Sequence, residues 1–209
     1  MTWLDAVWRF AIVAGVLTMT PGLDTLLVLR SALRAGPRAA FATASGVAVG
    51  CLVWGLAAAV GVSALVTASP TAYAVLKVAG AVYLAYLGVR LLWNARTPHA
   101  AEPSEETAGV ASPFSQGLTT NLLNPKIGVF YVAVLPHFLP ADLPPVAGGV
   151  LLALVHGVET MVWFAGLIVG ARTMRRWLAS PQVQRGIDVV AGLIFVGFAV
   201  ALVVVDQAH

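Results

Sequence analysis

Four ionisable residues stand inside otherwise apolar stretches of this chain: Asp24, Lys77, Lys126 and Glu159. A charge at the centre of a bilayer costs about 2.5–3.5 kcal/mol on insertion scales, so such residues mark pairs, relays or binding sites. Two are acidic and two basic, so they could neutralise one another. Asp24 closes the run Thr20-Pro21-Gly22-Leu23-Asp24. Proline removes a backbone donor and clashes with the preceding turn, so a helix at Pro21 must kink or open. Gly22 lets the backbone move, and the freed carbonyls become available to a ligand or an ion. A carboxylate there could carry a proton or meet a substrate ammonium, because burial and a nearby lysine act in opposite directions on its ionisation. The structural alternatives are an ion pair and a cap for the restarted half-helix.

A second break comes at Asn121-Leu122-Leu123-Asn124-Pro125-Lys126. Lys126 could hold a substrate carboxylate or act as counter-charge to Asp24; the alternative is a structural pair with Asp24 or Glu159. The amides of Asn121 and Asn124 can bind both ends of an amino acid, or satisfy backbone groups freed by Pro125. We read the backbone role for Asn121 and the ligand role for Asn124. Lys77 either snorkels outward or partners a buried acid. Glu159 and His156 lie three residues apart, on one helix face. They could relay a proton, since histidine titrates near neutrality, but two ligands without a third make a poor zinc site. His156 alone reads as a packed polar residue. Neither a metal nor a cofactor is expected.

The elements that must position these residues follow from composition. The chain has 209 residues, of which 59% are hydrophobic and 10% charged, and a mean hydropathy of +0.89. Soluble domains carry roughly 25% charged residues, and no 209-residue core needs this much apolar surface. An all-α integral membrane protein is therefore expected, its outer face against lipid. The net charge of +3 invites a nucleic-acid reading. The arginines exclude it, because they cap apolar runs and form no basic face with interleaved aromatics. A single cysteine, Cys51, allows no intrachain disulfide and reads as a small buried residue. Met1 to Trp8 carries Asp5 and no positive charge, so the first segment is expected to be retained rather than cleaved as a signal.

Six segments reach the roughly 20 apolar residues that a membrane helix needs. They run Leu4 to Leu29 (broken at Pro21), Ala39 to Val66, Tyr73 to Trp93, Phe114 to Phe138 (broken at Pro125), Val146 to Ala171, and Ile187 to Val205. Gly36-Pro37, Ser69-Pro70 and Pro140 to Pro145 punctuate them, and residues 95–112 form a hydrophilic loop. The loops after segments one, three and five hold nine arginines; the opposite side holds only Arg9. The positive-inside rule makes the arginine-rich side cytoplasmic and both termini external. The halves also resemble each other. Pro21 matches Pro125, Val53-Trp54 matches Val162-Trp163, and Val78-Ala79-Gly80 matches Val190-Ala191-Gly192, at offsets of 104, 109 and 112 residues. A three-helix repeat has odd parity, so its second copy enters the membrane inverted. One membrane domain, 1–209, is expected, with repeats at 4–93 and 114–205. Inverted repeats with broken helices near the midplane are the mark of secondary transporters. Gly46-x-x-x-Gly50 and Gly166-x-x-x-Gly170, on related segments, read as close helix packing, and Trp3, Trp8, Trp93 and Trp177 as interfacial anchors.

Three motifs are similar to those of the LysE/RhtB family of amino-acid exporters. They are Pro21-Gly22-x-Asp24 ahead of a basic loop, Leu76-Lys77-x-x-Gly80-x-x-Tyr83-Leu84-x-Tyr86-Leu87-Gly88, and Asn121-Leu122-Leu123-Asn124-Pro125-Lys126. The resemblance implies a cytoplasmic-membrane exporter of amino acids or related metabolites, driven by the proton gradient. Many members of that family have an acidic residue in segment two where this chain has Cys51, a departure that bears on the substrate. The partners expected are a small-molecule substrate, protons and the bilayer, with no nucleic acid; a homo-oligomer is compatible with the sequence. The rival functions are a membrane-embedded redox or other enzyme and a passive small-solute channel. A thiol relay needs two cysteines, and the charges at the helix breaks speak against an inert structural role.

Overall fold

The computed structural model describes residues 2–96, 112–171, 173, 177 and 180–204. Its elements in chain order are α1 (Trp3–Met19), α2 (Leu23–Arg34), α3 (Pro37–Ala68), α4 (Pro70–Asn94), α5 (Pro113–Leu122), α6 (Pro125–Val134), a 3-10 turn (Leu135–Phe138), α7 (Pro145–Val169) and α8 (Pro181–Val204). Most of the expected hydrophilic loop, and Arg172, Arg175 and Arg176 of the last basic loop, lie outside the described residues.

Local chemistry sets these boundaries. Proline opens six of the eight α-helices among the described residues at their first residue, where its missing N–H is not needed. Gly36 adopts φ 87°, a conformation that suits glycine, and turns the chain from α2 into α3. Ser112 caps α5 by accepting the Ser115 N–H, and Asn124 caps α6 by accepting the Lys126 N–H. Both expected breaks are present: Thr20, Pro21 and Gly22 separate α1 from α2, and Leu123 and Asn124 separate α5 from α6.

Among the described residues, Pro37–Gly61 of α3 and Pro145–Val169 of α7 are each long and apolar enough to cross a membrane. α1 and α2 meet the same measure only when taken together, as a pair bent by 58° at the break. Large apolar side chains cover the outside, with Val162 69% and Val169 86% exposed. So much exposed apolar surface suits a lipid environment and would be a liability in water.

Inside, two apolar cores lie along the molecule. Phe10, Phe130, Tyr131 and Leu152 belong to one, and Val28, Val47, Phe164 and Leu167 to the other. Helices approach closely through glycine. A Cβ on Gly46 would lie 2.7 Å from the Leu118 amide nitrogen, and one on Gly117 would lie 2.9 Å from the Thr43 carbonyl carbon, so α3 and α5 touch backbone to backbone. Gly88 and Gly192 do the same for α4 and α8, each potential Cβ falling 2.8 Å from the other's carbonyl oxygen. The expectation for Gly166 needs correction. A side chain there would meet nothing within 4 Å, because that face of α7 looks outward. The close crossing of α7 with α3 runs instead through Gly149 against Ala59 and Gly55 against Ala153.

Candidate functional site

The two helix breaks face each other across the middle of the molecule, between the two cores. Proline chemistry explains how they meet. In an unbroken helix the Leu17 carbonyl would accept from the N–H of residue 21, and Pro21 has none. The Lys126 ammonium fills that role, donating to the Leu17 carbonyl at 3.1 Å and to the Thr20 carbonyl at 2.9 Å. A cation at the C-terminal end of α1 also complements the helix dipole. At the second break Pro125 removes the helical donor of the Asn121 carbonyl, which accepts instead from the Asn124 N–H at 3.1 Å and from the Trp54 indole N–H at 3.4 Å.

Asp24 sits in the first turn of α2, where a carboxylate meets the positive end of the helix dipole, and is 8% exposed. Its Oδ2 accepts from the Asn121 amide at 3.0 Å and the Asn124 amide at 3.3 Å. Asn121 Nδ2 also lies 3.7 Å from Cys51 Sγ. Asp24 Oδ1 and Asn121 Oδ1 are buried without a hydrogen-bond partner. Gly50 is required beside them, since a Cβ there would stand 2.8 Å from Asn121 Cγ. Gly22 begins α2 in extended backbone, without a side-chain cap, and a Cβ on it would lie 3.8 Å from the Lys126 ammonium. A cavity of about 30 Å³ lies among these groups, bordered by Asp24, Asn121, Asn124, Lys126, Cys51 and His156. That is room for about one or two waters.

The structure thus brings Pro21, Gly22 and Asp24 together with Asn121, Asn124, Pro125 and Lys126, about a hundred residues away in sequence. Three details differ from the sequence reading. The Lys126 ammonium serves carbonyls of the opposite helix break, for the reason Pro21 supplies. The backbone service falls to Asn124, whose side-chain carbonyl oxygen accepts the Lys126 N–H at 3.1 Å, while its amide and that of Asn121 both donate to Asp24. Glu159 is partly buried beside Gly15, with Oε2 lacking a hydrogen-bond partner, and it does not border the cavity. The side chain of Lys77, on α4, lies outside the described residues.

His156 is fully enclosed. Tyr131 Oη lies 2.9 Å from its Nδ1, and Thr18 Oγ1 lies 3.0 Å from its Nε2. This chain ties α6, α7 and α1 together beside the cavity. Tyr131 did not stand out in the sequence, because nothing in an apolar run marks which aromatic hydroxyl finds a buried partner, and Thr18, in the stretch leading to Pro21, could equally have bonded its own helix. Trp54 was visible only as half of a repeated Val-Trp pair. Cys51, read as a small buried residue, is 1% exposed and borders the site.

Fold and site define a class: a multi-pass helical membrane protein with a buried polar cluster where two helix breaks meet. The chain belongs to the LysE type translocator family, which it matches over residues 15–205. It is 28% identical to an uncharacterized membrane protein, YrhP, of Bacillus subtilis, over 90% of this chain and 93% of that protein. It is 26% identical to the leucine efflux protein of Salmonella typhimurium, over 93% of each chain. It is 29% identical to the threonine efflux protein of Escherichia coli K12, over 93% of this chain and 95% of that protein. No solved structure shows a significant match.

Proposed function

We propose that this chain is a secondary exporter of amino acids or related small metabolites across the cytoplasmic membrane, coupled to protons. One observation carries the reading: two buried acceptor oxygens, Asp24 Oδ1 and Asn121 Oδ1, lack partners where the two breaks meet. An ammonium has three donors and no acceptor, so a substrate amino group is the complement of that pair. The substrate carboxylate then meets Lys126 and the uncapped first turn of α2, whose free N–H groups and dipole favour an anion. Relatives named for leucine and threonine efflux support the amino-acid class.

In this reading six spans form two inverted three-helix repeats, 4–93 and 114–205, with arginine-rich loops in the cytoplasm and both termini outside. Substrate binds between the repeats. A cavity of about 30 Å³ is too small for an amino acid, so the repeats rock apart to admit one. Protonation of Asp24 or Glu159 from outside neutralises an acid and favours return of the empty carrier.

Purified protein in proteoliposomes tests this. We expect saturable amino-acid efflux that an imposed pH gradient accelerates. Asp24→Asn should insert normally and lose gradient-driven flux at least tenfold. Flux indifferent to the gradient removes the proton coupling; full activity of Asp24→Asn removes the assigned role of Asp24. Flux that never saturates means a channel.

A further inference from the structure

A second and much larger cavity, a groove of about 540 Å³ open to the outside, lies on the other side of Asn124. Its walls are Trp54 of α3, Ala79 and Tyr83 of α4, and Val129 and Val132 of α6, and it ends on the second helix break. Asn124 borders both cavities and is 5% exposed. We propose that this cavity receives the side chain of the transported amino acid, and that the substrates are amino acids with large aliphatic or aromatic side chains. The inference rests on the export reading above and names the substrate class of that same site.

Three features carry it. First, the polar groups at the meeting of the two breaks answer only the amino and carboxylate ends of an amino acid, so its side chain must project into adjoining space. The adjoining space falls within the 300–1,000 Å³ range of small-molecule pockets. Second, the apolar wall is built into the polar cluster. The Trp54 ring lies against Gly128, where a Cβ would sit 2.8 Å from its six-membered ring, and its N–H donates to the Asn121 carbonyl. The same Asn121 donates to Asp24, so the aromatic wall and the carboxylate share one residue. Third, a crevice shaped only for acyl chains would not end on a buried asparagine that donates to an acid. A hydroxylated or charged side chain would be desolvated here among aliphatic and aromatic walls, which disfavours it, whereas apolar side chains gain contact.

Counterflow with the full-length protein in proteoliposomes tests the proposal, using labelled leucine, phenylalanine, alanine, serine and lysine. Leucine and phenylalanine should exchange with kcat/KM at least tenfold above serine and lysine. Ala79→Trp and Val132→Phe, which fill the cavity from opposite walls, should each lower the leucine-to-alanine ratio at least tenfold. Exchange without preference for large apolar side chains overturns the subsite and leaves the export reading standing. An unchanged leucine-to-alanine ratio in both variants also overturns it, as does phospholipid that fills the cavity throughout counterflow. No exchange of any of the five overturns both readings. The wild-type preference decides the matter alone if a variant fails to insert.

Discussion

At the scale of single residues, Pro21 strands the Leu17 carbonyl and a distant side chain, Lys126, retrieves it. At Pro125 the Asn121 carbonyl turns to the Asn124 N–H and accepts from Trp54 as well. Lys126 therefore holds the broken end of α1 in place as well as bordering the cavity. Lys126→Met should leave the Leu17 and Thr20 carbonyls without their donor, at a cost of about 1–3 kcal/mol per unsatisfied buried group. Thermal unfolding in detergent should show the loss, and counterflow should fall at least tenfold. Lys126→Arg should not restore flux, because a planar guanidinium cannot occupy the place of a compact ammonium between two carbonyls. Wild-type stability in the Met variant would mean that those bonds contribute nothing. The residues of this cluster were legible because charge and amide are conspicuous in an apolar run. Which atom each would touch was not, since the partner of Lys126 is a backbone oxygen over a hundred positions away. Nothing in the spacing of Asn121 and Asn124 says which of them caps α6.

At the scale of helices, glycine decides who may come close. The α3–α5 contact places Gly46 and Gly117 against opposing backbone, which cannot yield as a flexible side chain would. Gly117→Ala should therefore separate the two helices at a cost of about 1–3 kcal/mol, the usual range for overpacking. Because α5 carries Asn121, the separation should also disturb Asp24. Gly166→Ala should be neutral or stabilise α7 by up to about 1 kcal/mol through helix propensity, since nothing faces it. Unfolding midpoints of the two variants in one detergent give the comparison, and equal shifts would contradict the packing. Both Gly-x-x-x-Gly pairs were plain in the sequence, and so were the two breaks. The pattern alone could not say that Gly46 and Gly50 face a neighbouring helix while Gly166 faces outward, because that depends on what packs beside each face. Gly88 and Gly192 show the converse: the last glycine of one motif and a glycine from the other half of the chain turn out to be one contact, each admitting the other's carbonyl.

At the scale of the whole molecule, the polar cavity around the acid is too small for a substrate, and export requires that it widen to each side in turn. Cavity size and conformational state leave no mark on hydropathy or spacing, so this was outside the reach of the sequence. The chain supplies its own probe. Cys51 is its single cysteine, it is 1% exposed, and it borders the cavity beside Asn121. A thiol enclosed in this way is inert until its surroundings open. Alkylation by N-ethylmaleimide, followed by intact-protein mass spectrometry, should therefore be slow in resting protein and should accelerate during counterflow. Substrate trapped in the closed site should protect the thiol. Asp24→Asn should alter the rate through the balance between closed and open states, with the reagent and the thiol unchanged. A membrane-impermeant reagent applied to one face of oriented proteoliposomes should reach Cys51 only while the site opens toward that face, so conditions that favour one opening should suppress labelling from the other. Cys51 that reacts as fast as a free thiol at rest would mean the cavity is not closed. Cys51 that never reacts during rapid exchange would place the transport path somewhere other than the meeting point of the two breaks.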